Sequence, residues 1–327
     1  MNAMVGFCDM YQFFSDYKDE FITELEIAQK DPKTIDSYQY IIDNFLVFID
    51  EKRAFMSFEQ LNHRIIVEFI RFSENKSKKE FTYWTNMAYK KVIKLFINFI
   101  EEEKEISLKI KWNKIQFKKE QTEVKSLDDD SLEKIKKYLA NLYRRYSMIK
   151  DKSLLPDELK SEEHIYTVNL AFKLGIYGGL RAEEICKLSL ESITKSYIDS
   201  KTQIVDVRVQ GKGHKERIVP ILYAHIKREL EYFSLHRNKN EPLLRQIRGK
   251  PLNRHSLYNY LEEVSKYANV QSRGVHILRH TCAMNMRENG VDLADAQDFL
   301  GHSDPSITRI YFQKSQSRMR RVASSFR

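Results

Sequence analysis

The stretch QIVDVRVQGKGHKERIVPIL, residues 203–222, carries the clearest β pattern in a chain of 327 residues. Apolar and polar residues alternate over 203–210 and nearly alternate over 217–222, which predicts two strands. The intervening GKGHKE segment contains two glycines, as expected for the tip of a hairpin. Most of the remaining chain shows helical spacing, and it has only 10 glycines and 6 prolines. The sequence therefore predicts a mainly α fold with a small antiparallel β-hairpin or sheet.

Residues 10–108 are predicted to form a bundle of about four helices, because apolar residues recur there at helical spacing. One helix is predicted over 34–51 with Thr34 as its N-cap, and another begins at the capping box of Ser57 and Gln60. The basic stretch 109–125 has no helical stripe, and we interpret it as an interdomain linker. Residues 126–327 are predicted to form a second domain, which contains the hairpin and ends in a short tail helix.

The charge is distributed unevenly along the chain, whose net charge is +9. Residues 1–70 carry 6 Lys/Arg against 13 Asp/Glu, residues 71–125 carry 14 against 8, and residues 126–327 carry 35 against 25. This bias suits a polyanion such as DNA or RNA, although ordinary solvated helix faces would also produce it. For a nucleic-acid partner, the predicted contacts are Lys90, Lys91, Lys94, Lys215, Arg217 and Arg254.

Several classes of protein are not indicated by the sequence. No apolar run approaches the roughly 20 residues of a membrane span, so we expect no membrane partner. The N-terminal stretch lacks the basic and apolar regions of a secretory signal. Cys8, Cys186 and Cys282 are isolated, which predicts a cytoplasmic protein without a zinc site or disulfide framework. Because no carboxylate cluster is placed for a metal and no GxxxxGK[ST] motif is present, we expect no metal and no other cofactor.

A helical segment, GVHILRHTCAMN at 274–285, places His276 and Arg279 on one face. Packing alone gives no reason to pair two groups that repel when both are charged, but an anion between them does. A wider set in the C-terminal half has the residue types for phosphoryl transfer: Arg181, Lys212, His276, Arg279, His302 and Tyr311. Taken singly, each has an ordinary explanation, such as a helix cap, a solvated hairpin lysine or one of 18 tyrosines.

Together the six residues fit a single reaction. The arginines can clamp both non-bridging oxygens of a phosphodiester, and the lysine can donate a proton to the leaving oxygen. The histidines can accept a proton and hydrogen-bond the phosphate, while the tyrosine can attack phosphorus and hold it covalently.

The four segments that contain these residues resemble motifs of the tyrosine recombinases of the phage integrase family, and the pattern is nearest to the Xer type. GGLRAEEICKL at 178–188 resembles the first-arginine motif, and GKGHKERIVPI at 211–221 resembles the lysine hairpin. HILRHTCAMN at 276–285 and LGHSDPSITRIY at 300–311 resemble the two remaining motifs, which carry the second arginine, the histidines and the nucleophile. The resemblance is strong over about 170–315, and residues 10–108 are more loosely similar to the family's DNA-binding core domain.

This resemblance implies a two-domain, C-shaped clamp on a double-stranded recombination site, with self-assembly to a dimer or tetramer. Tyr311 would attack the scissile phosphate, leaving a 3′-phosphotyrosyl link and a free 5′-hydroxyl. Glu184 falls where the family usually has an acidic residue that orients an arginine. Chromosome dimer resolution, prophage integration and the movement of mobile elements all use this scaffold.

Three alternatives stay open at the level of sequence. A type IB topoisomerase shares the chemistry, but the separate N-terminal bundle and the C-terminal tail favour recombination. A DNA-binding protein with a decayed site is less consistent with six intact positions. A nucleic-acid-binding bundle without chemistry accounts for the charge but not for the tyrosine motif. The sequence also departs from the family at Cys282 and Asn285, where Phe and His are more usual, and 147–163 looks like an insertion.

Overall fold

The computed structural model describes residues 10–52, 61–108, 110–119, 126–149, 161–197, 203–211, 216–271, 274–302, 304 and 308. The chain divides into two compact units, Met1–Thr122 and Glu123–Arg327. Each unit has its own hydrophobic core, and each is presented by itself below.

The first unit contains four helices among its described residues: α1 (Met10–Ile27), α2 (Pro32–Lys52), α3 (His63–Ser77) and α4 (Tyr83–Lys104). Their apolar faces meet in a core rich in aromatic rings. The ring centroid of Phe45 lies 5.3 Å from that of Phe14 and 5.1 Å from that of Phe69. Phe96 extends the cluster through contacts with Phe14 and Phe21. Edge-to-face packing of this kind adds stability beyond simple burial, and it holds the four helices together.

Two helices of this unit begin at residues other than those predicted. The N-terminus of α2 is capped by Asp31, whose carboxylate accepts a backbone N–H two residues on at 3.0 Å, and not by Thr34. The N-terminus of α3 is capped by Asn62, whose amide oxygen accepts a backbone N–H at 2.8 Å. The predicted capping box of Ser57 and Gln60 lies outside the described residues. In both cases an Asx side chain just before the helix satisfies a backbone donor.

Part of the segment predicted as a linker, 109–125, packs with the first unit. Ile110 and Ile115 are buried in the same core as the four helices, and a short 3-10 helix, Trp112–Lys114, lies between them. The Ile115 carbonyl accepts a hydrogen bond from Lys90 Nζ at 2.7 Å, which ties this segment to α4. Residues 109 and 120–125 lie outside the described part of the chain.

The second unit is built around a central buried helix. Its described helices are α5 (Asp129–Met148), α6 (Glu162–Gly178), α7 (Ala182–Cys186), α8 (Tyr223–His236), α9 (Arg254–Tyr267), α10 (Gly274–Glu288) and α11 (Leu293–Leu300). α6 is apolar on nearly all sides, so it is buried against α5, α8, α9 and α10. α10 comes especially close, because a Cβ added at Gly175 would lie 2.8 Å from Leu278 Cδ1.

The predicted hairpin is confirmed as part of a three-stranded antiparallel sheet. The strands β1 (Ile193–Tyr197), β2 (Gln203–Gln210) and β3 (Glu216–Leu222) lie in that order. Val207 pairs with Val219, and both are buried on the inner face. Pro220 lies in the edge strand β3, where its missing N–H is tolerated. The sequence did not indicate β1, and residues 212–215 at the hairpin tip lie outside the described residues.

Within these described ranges, no helix is both long enough and apolar enough to cross a membrane.

Candidate active site

Four of the six predicted catalytic residues lie in the described part of the chain. Arg181 immediately precedes α7, His276 and Arg279 lie in α10, and His302 is the second residue after α11. The other two, Lys212 and Tyr311, lie outside the described residues. The four described residues come from three separate motifs, and the fold brings them to a common set of helix ends.

A glycine turn brings Arg181 to this place. α6 ends at Gly178, and Gly179 follows in the left-handed conformation with φ of +58°. A Cβ at Gly179 would lie 2.6 Å from Leu300 Cδ2, so both the backbone conformation and the close approach of α11 favour glycine. The chain can therefore turn sharply between α6 and α7 directly beside the end of α11.

The last carbonyls at the end of α11 are each bound by a different arginine. These hydrogen bonds join Arg217 Nε to Phe299 O at 3.2 Å, Arg279 Nη2 to Leu300 O at 2.6 Å, and Arg181 Nη2 to Gly301 O at 2.8 Å. Carbonyls at a helix C-terminus lack intrahelical partners and carry partial negative charge, so they attract cations. The three bonds fix the turn that leads directly into His302.

Arg279 is buried, with 5% of its surface exposed. Besides Leu300 O, its guanidinium binds the carbonyl of Gly179 at 2.5 Å, and so it bridges the C-terminal ends of α6 and α11. Burial of a charge is costly unless hydrogen bonds and opposite charge compensate for it. The two helix ends supply both, which explains how a cation is held in the interior.

Glu184 links two of the arginines, as the resemblance implied for one of them. Its carboxylate accepts Arg181 Nη1 at 2.9 Å and the Arg181 backbone N–H at 2.8 Å. It also accepts both terminal nitrogens of Arg217, at 2.6 and 2.9 Å. Burial by itself would raise the pKa of Glu184, but the hydrogen bonds from Arg217 and Arg181 outweigh it and lower that pKa to about 2. The carboxylate is therefore ionised at neutral pH.

The side chain of Arg217, one of the predicted DNA contacts, binds groups of its own unit. Its side chain is only 14% exposed, and its guanidinium binds Glu184 and the Phe299 carbonyl. The alternation of β3 contained a signal for this orientation, because Arg217 lies on the same face of the strand as Val219 and Ile221. A charged residue on the buried face of a strand needs an internal partner, and Glu184 is that partner.

The two histidines of the cluster differ in exposure. His302 is buried, and its Nδ1 lies 2.7 Å from Thr308 Oγ1. Burial, followed by the charges of Arg279, Arg181 and other neighbours, lowers the pKa of His302 to about 3. His276 is exposed to solvent on one side. Partial burial of its ring, followed by the charges of nearby arginines, also lowers the pKa of His276. Both imidazoles are therefore neutral at pH 7 in a strongly positive environment.

The remaining predicted DNA contacts are placed in different ways. Lys91 and Lys94 are exposed on α4, whereas Lys90 is half-buried and bound to a backbone carbonyl of its own unit. Arg254 is exposed at the start of α9, with its Nη1 3.9 Å from Glu183 Oε1. Among the predicted contacts, Lys215 lies outside the described residues. In the described ranges, no group of three or more His, Cys, Asp or Glu side chains is arranged to hold a metal ion.

A helical unit with a three-stranded sheet, and with arginines and histidines gathered at its helix ends, defines the catalytic-domain class of the tyrosine recombinases. The model of the phage integrase family matches residues 151–318, which is just over half of the chain. The chain belongs to this family.

Individual relatives agree with that assignment. The tyrosine recombinase XerD of Staphylococcus aureus is 35% identical over 155 residues, which cover 45% of this chain and 50% of that protein. The match thus spans about half of the length of this relative. The structure of XerH site-specific recombinase bound to palindromic difH substrate has a TM-score of 0.70 at 22% identity, over 89% of this chain and 79% of that one. A lambda integrase dimer bound to a COC′ core site gives 0.61 at 15% identity, over 91% and 94%. These two likenesses show the fold.

Proposed function

We propose that this protein is a site-specific DNA recombinase that cleaves and rejoins DNA strands through a 3′-phosphotyrosyl intermediate. The observation that supports this best is the convergence of Arg181, Arg279 and His302 on the end of α11, with His276 on the same helix as Arg279. Three motifs separated in sequence meet at one positive cluster, and a phosphodiester is the substrate that such a cluster suits.

In the proposed reaction, the Tyr311 hydroxyl oxygen attacks the scissile phosphorus, and the bond from phosphorus to the 5′ oxygen breaks. The tyrosine proton passes to a histidine of the cluster, and Lys212 gives a proton to the departing 5′ oxygen. The 5′-hydroxyl of a partner strand then attacks the phosphotyrosyl link and releases Tyr311. One phosphodiester replaces another, so strand exchange requires no external energy source.

The arginines would supply the largest catalytic effect. Negative charge builds up on the non-bridging oxygens as phosphorus becomes pentavalent, and donors that are already in place stabilise it most. Arg279 is fixed between two helix ends, and Arg181 is held by Glu184 and by Gly301 O. These contacts support preorganisation, because the two guanidinium planes need little rearrangement when the phosphate arrives.

The neutral histidines fit the same scheme. The arginines help to keep the pKa of His302 and that of His276 low. A bound phosphate places negative charge beside those arginines, which raises both pKa values toward neutrality. The histidines would therefore become better proton acceptors when substrate is present than when it is absent.

We further propose double-stranded DNA as the partner, assembly of a dimer or tetramer on the recombination site, and action in the cytoplasm. The similarity to recombinases that were solved on DNA supports the partner, and the lambda integrase complex, which is a dimer bound to a core site, supports assembly. The two-domain clamp implied by the resemblance stays a prediction.

Trapping of a covalent adduct tests this function. DNA that the wild-type protein selects from a random pool is made into nicked duplexes, in which the cleaved end is lost by diffusion. Wild type should accumulate a protein–DNA adduct on denaturing gels, whereas Tyr311→Phe should bind the same DNA without forming one. An adduct with Tyr311→Phe would show that another residue is the nucleophile.

The same material separates the alternatives. Specific binding by wild type with no adduct would indicate a catalytically inactive DNA-binding protein. Relaxation of a supercoiled plasmid that lacks the selected site would indicate a type IB topoisomerase.

A further inference from the structure

Arg217 joins three elements of the second unit at the candidate active site. Its backbone is fixed by pairing of β3 with β2, where it lies opposite Val209. Its side chain reaches Glu184 in α7 and the Phe299 carbonyl in α11. A Cβ added at Gly301 would lie 2.8 Å from Arg217 Cδ, so the side chain also packs closely against the turn after α11. The sheet, α7 and the end of α11 are therefore locked together by a single residue.

Both neighbours of Arg217 lead directly to predicted catalytic residues. Glu184 binds Arg181 through its backbone N–H and its guanidinium, so a change in the carboxylate moves that arginine. Leu300, whose carbonyl binds Arg279, lies between Phe299 and Gly301, and His302 follows Gly301 in the chain. If the guanidinium of Arg217 were removed, Glu184 would lose two of its charge-assisted hydrogen bonds, and the turn before His302 would lose one.

We propose that Arg217 is a positioning residue for the recombination reaction, which sets the relative places of Arg181 and His302 without binding DNA itself. This inference rests on the function proposed above. In this role, the two terminal nitrogens of the Arg217 guanidinium bind the Glu184 carboxylate together. A lysine cannot replace it completely, because lysine lacks the planar pair of donors that matches a carboxylate.

Cleavage rates at saturating DNA provide the first test. Arg217→Gln should cleave the nicked duplex about 100-fold more slowly than wild type, because small misplacements of reacting groups have effects of this size. The affinity of Arg217→Gln for the same selected DNA, and the salt dependence of that affinity, should not change. Arg217→Lys should recover part of the rate. Arg208→Gln is the matched control, because Arg208 is exposed on β2 opposite Ile218, and this variant should cleave at the wild-type rate.

A double-mutant cycle then tests the route of action. Glu184→Gln keeps the shape of the side chain but removes its charge. If Arg217 acts through Glu184, the double variant should cleave about as slowly as the slower single variant, since the two changes break the same interaction. Losses that multiply in full would mean that Arg217 does not act through Glu184, and they would overturn its proposed role in placing Arg181.

Histidine NMR provides a readout that does not need activity. In protein with labelled histidine rings, the His302 resonances should move in Arg217→Gln and stay in place in Arg208→Gln. Absence of an adduct in wild type would count against the proposed function, while these resonances would still decide whether Arg217 positions His302. Unmoved resonances would overturn the proposal.

Two results of the cleavage and binding assays would also overturn the proposal. One is a wild-type cleavage rate in an Arg217→Gln protein that is less stable. The other is a weaker affinity for DNA with a salt slope reduced by about one, as expected for a phosphate contact. If Arg217→Gln does not fold, Arg217→Lys is compared with wild type in the same assays.

Discussion

The two units differ in what they bury. In the described part of the first unit, the buried polar side chains are Asn44 and Ser73, and the core is otherwise apolar and aromatic. The second unit buries ionisable side chains, namely His164, Glu184, Glu229, Arg279 and His302. Burial of such groups costs free energy unless each finds partners, so a core gains little stability from them. The difference indicates that the first unit gains more stability from its core, whereas the second unit holds charged side chains in fixed positions.

Burial of a charge does not by itself mark a functional site, as Glu229 shows. Its Oε1 accepts Tyr143 Oη and Lys173 Nζ, both at 2.7 Å. Burial and the neighbouring Glu229 raise the pKa of Tyr143 well above its usual range. This cluster connects α5, α6 and α8, and these hydrogen bonds of Glu229 go to none of the predicted catalytic residues in the described part of the chain. What distinguishes the candidate active site is that its buried charges meet at helix ends and perturb two histidines.

The largest expected effect lies in the aromatic core of the first unit. Phe45→Ala removes a fully buried ring that contacts Phe14 and Phe69, and it should lower the free energy of unfolding by about 3–5 kcal/mol. Both tryptophans of the chain, Trp84 and Trp112, lie in this unit, so their fluorescence during denaturant unfolding reports on it. Val47→Ala, at an exposed position of the same helix, is the control and should change little. A small loss for Phe45→Ala would mean that the first unit does not depend on a tightly packed core.

The next effect in size concerns the buried arginine of the second unit. Arg279→Ala should slow cleavage of the nicked duplex by about 10²–10³-fold at saturating DNA, because a preorganised donor to the phosphate is lost. Arg279→Lys should recover little, since one ammonium cannot reproduce the planar fork that binds Gly179 O and Leu300 O. Recovery of the wild-type rate by lysine would indicate that only the charge matters. Lys94→Ala, which removes an exposed charge of the first unit, should leave this rate unchanged.

An intermediate effect is expected from a buried histidine outside the site. Burial lowers the pKa of His164 to about 4, and its Nδ1 has no hydrogen-bond partner within the described residues. Because the folded-state pKa lies below the unfolded value, protons favour unfolding. The contribution of neutral His164 to the stability of the folded state is complete above about pH 6.5, and it is lost as the pH falls toward 4. From pH 7 to 5 the contribution of His164 should fall by about 2 kcal/mol.

His164→Phe should remove this loss. Denaturant unfolding is followed by circular dichroism at both pH values, and the pH-dependent change is compared between the variant and wild type. Tryptophan fluorescence serves as an internal control, because it follows the first unit and should respond equally in both proteins. An equal pH dependence of the second unit in both proteins would mean that His164 titrates normally.

Much of this architecture was accessible from sequence, because periodicity is a local property. The alternation over 203–222 predicted β2 and β3, and helical spacing predicted the bundle. β1 was missed since ITKSY, residues 193–197, has no alternation and gains its structure by pairing with β2. The helix starts were misplaced by a few residues, because Asp31 caps α2 ahead of the predicted Thr34, and Asn62 caps α3 after the predicted Ser57 and Gln60.

The contacts within the candidate site were only partly accessible. Motif order indicated which residues belong together, and the resemblance indicated that Glu184 orients an arginine. The inward orientation of Arg217 could have been predicted from its place in the alternation of β3, but its binding to Phe299 O could not. That contact depends on how α11 packs against the sheet, and no local pattern encodes it.

The smallest expected effect contrasts three neighbouring lysines of the first unit. Lys91 and Lys94 are exposed, whereas Lys90 donates to the Ile115 carbonyl, and burial followed by the charge of Lys94 lowers its pKa. If the exposed pair contacts phosphates, Lys91→Ala and Lys94→Ala should each reduce the slope of log affinity against log salt by about one. A slope change of this size means that raising salt from 50 to 200 mM weakens the affinity of the variant for DNA by about threefold less than that of wild type. Lys90→Ala should leave the slope unchanged and lower the stability of the first unit instead, since it removes the tie between α4 and Ile115. Gel shifts over a salt series, with tryptophan fluorescence for stability, measure both quantities. A slope change for Lys90→Ala equal to that of its neighbours would show that Lys90 also reaches DNA.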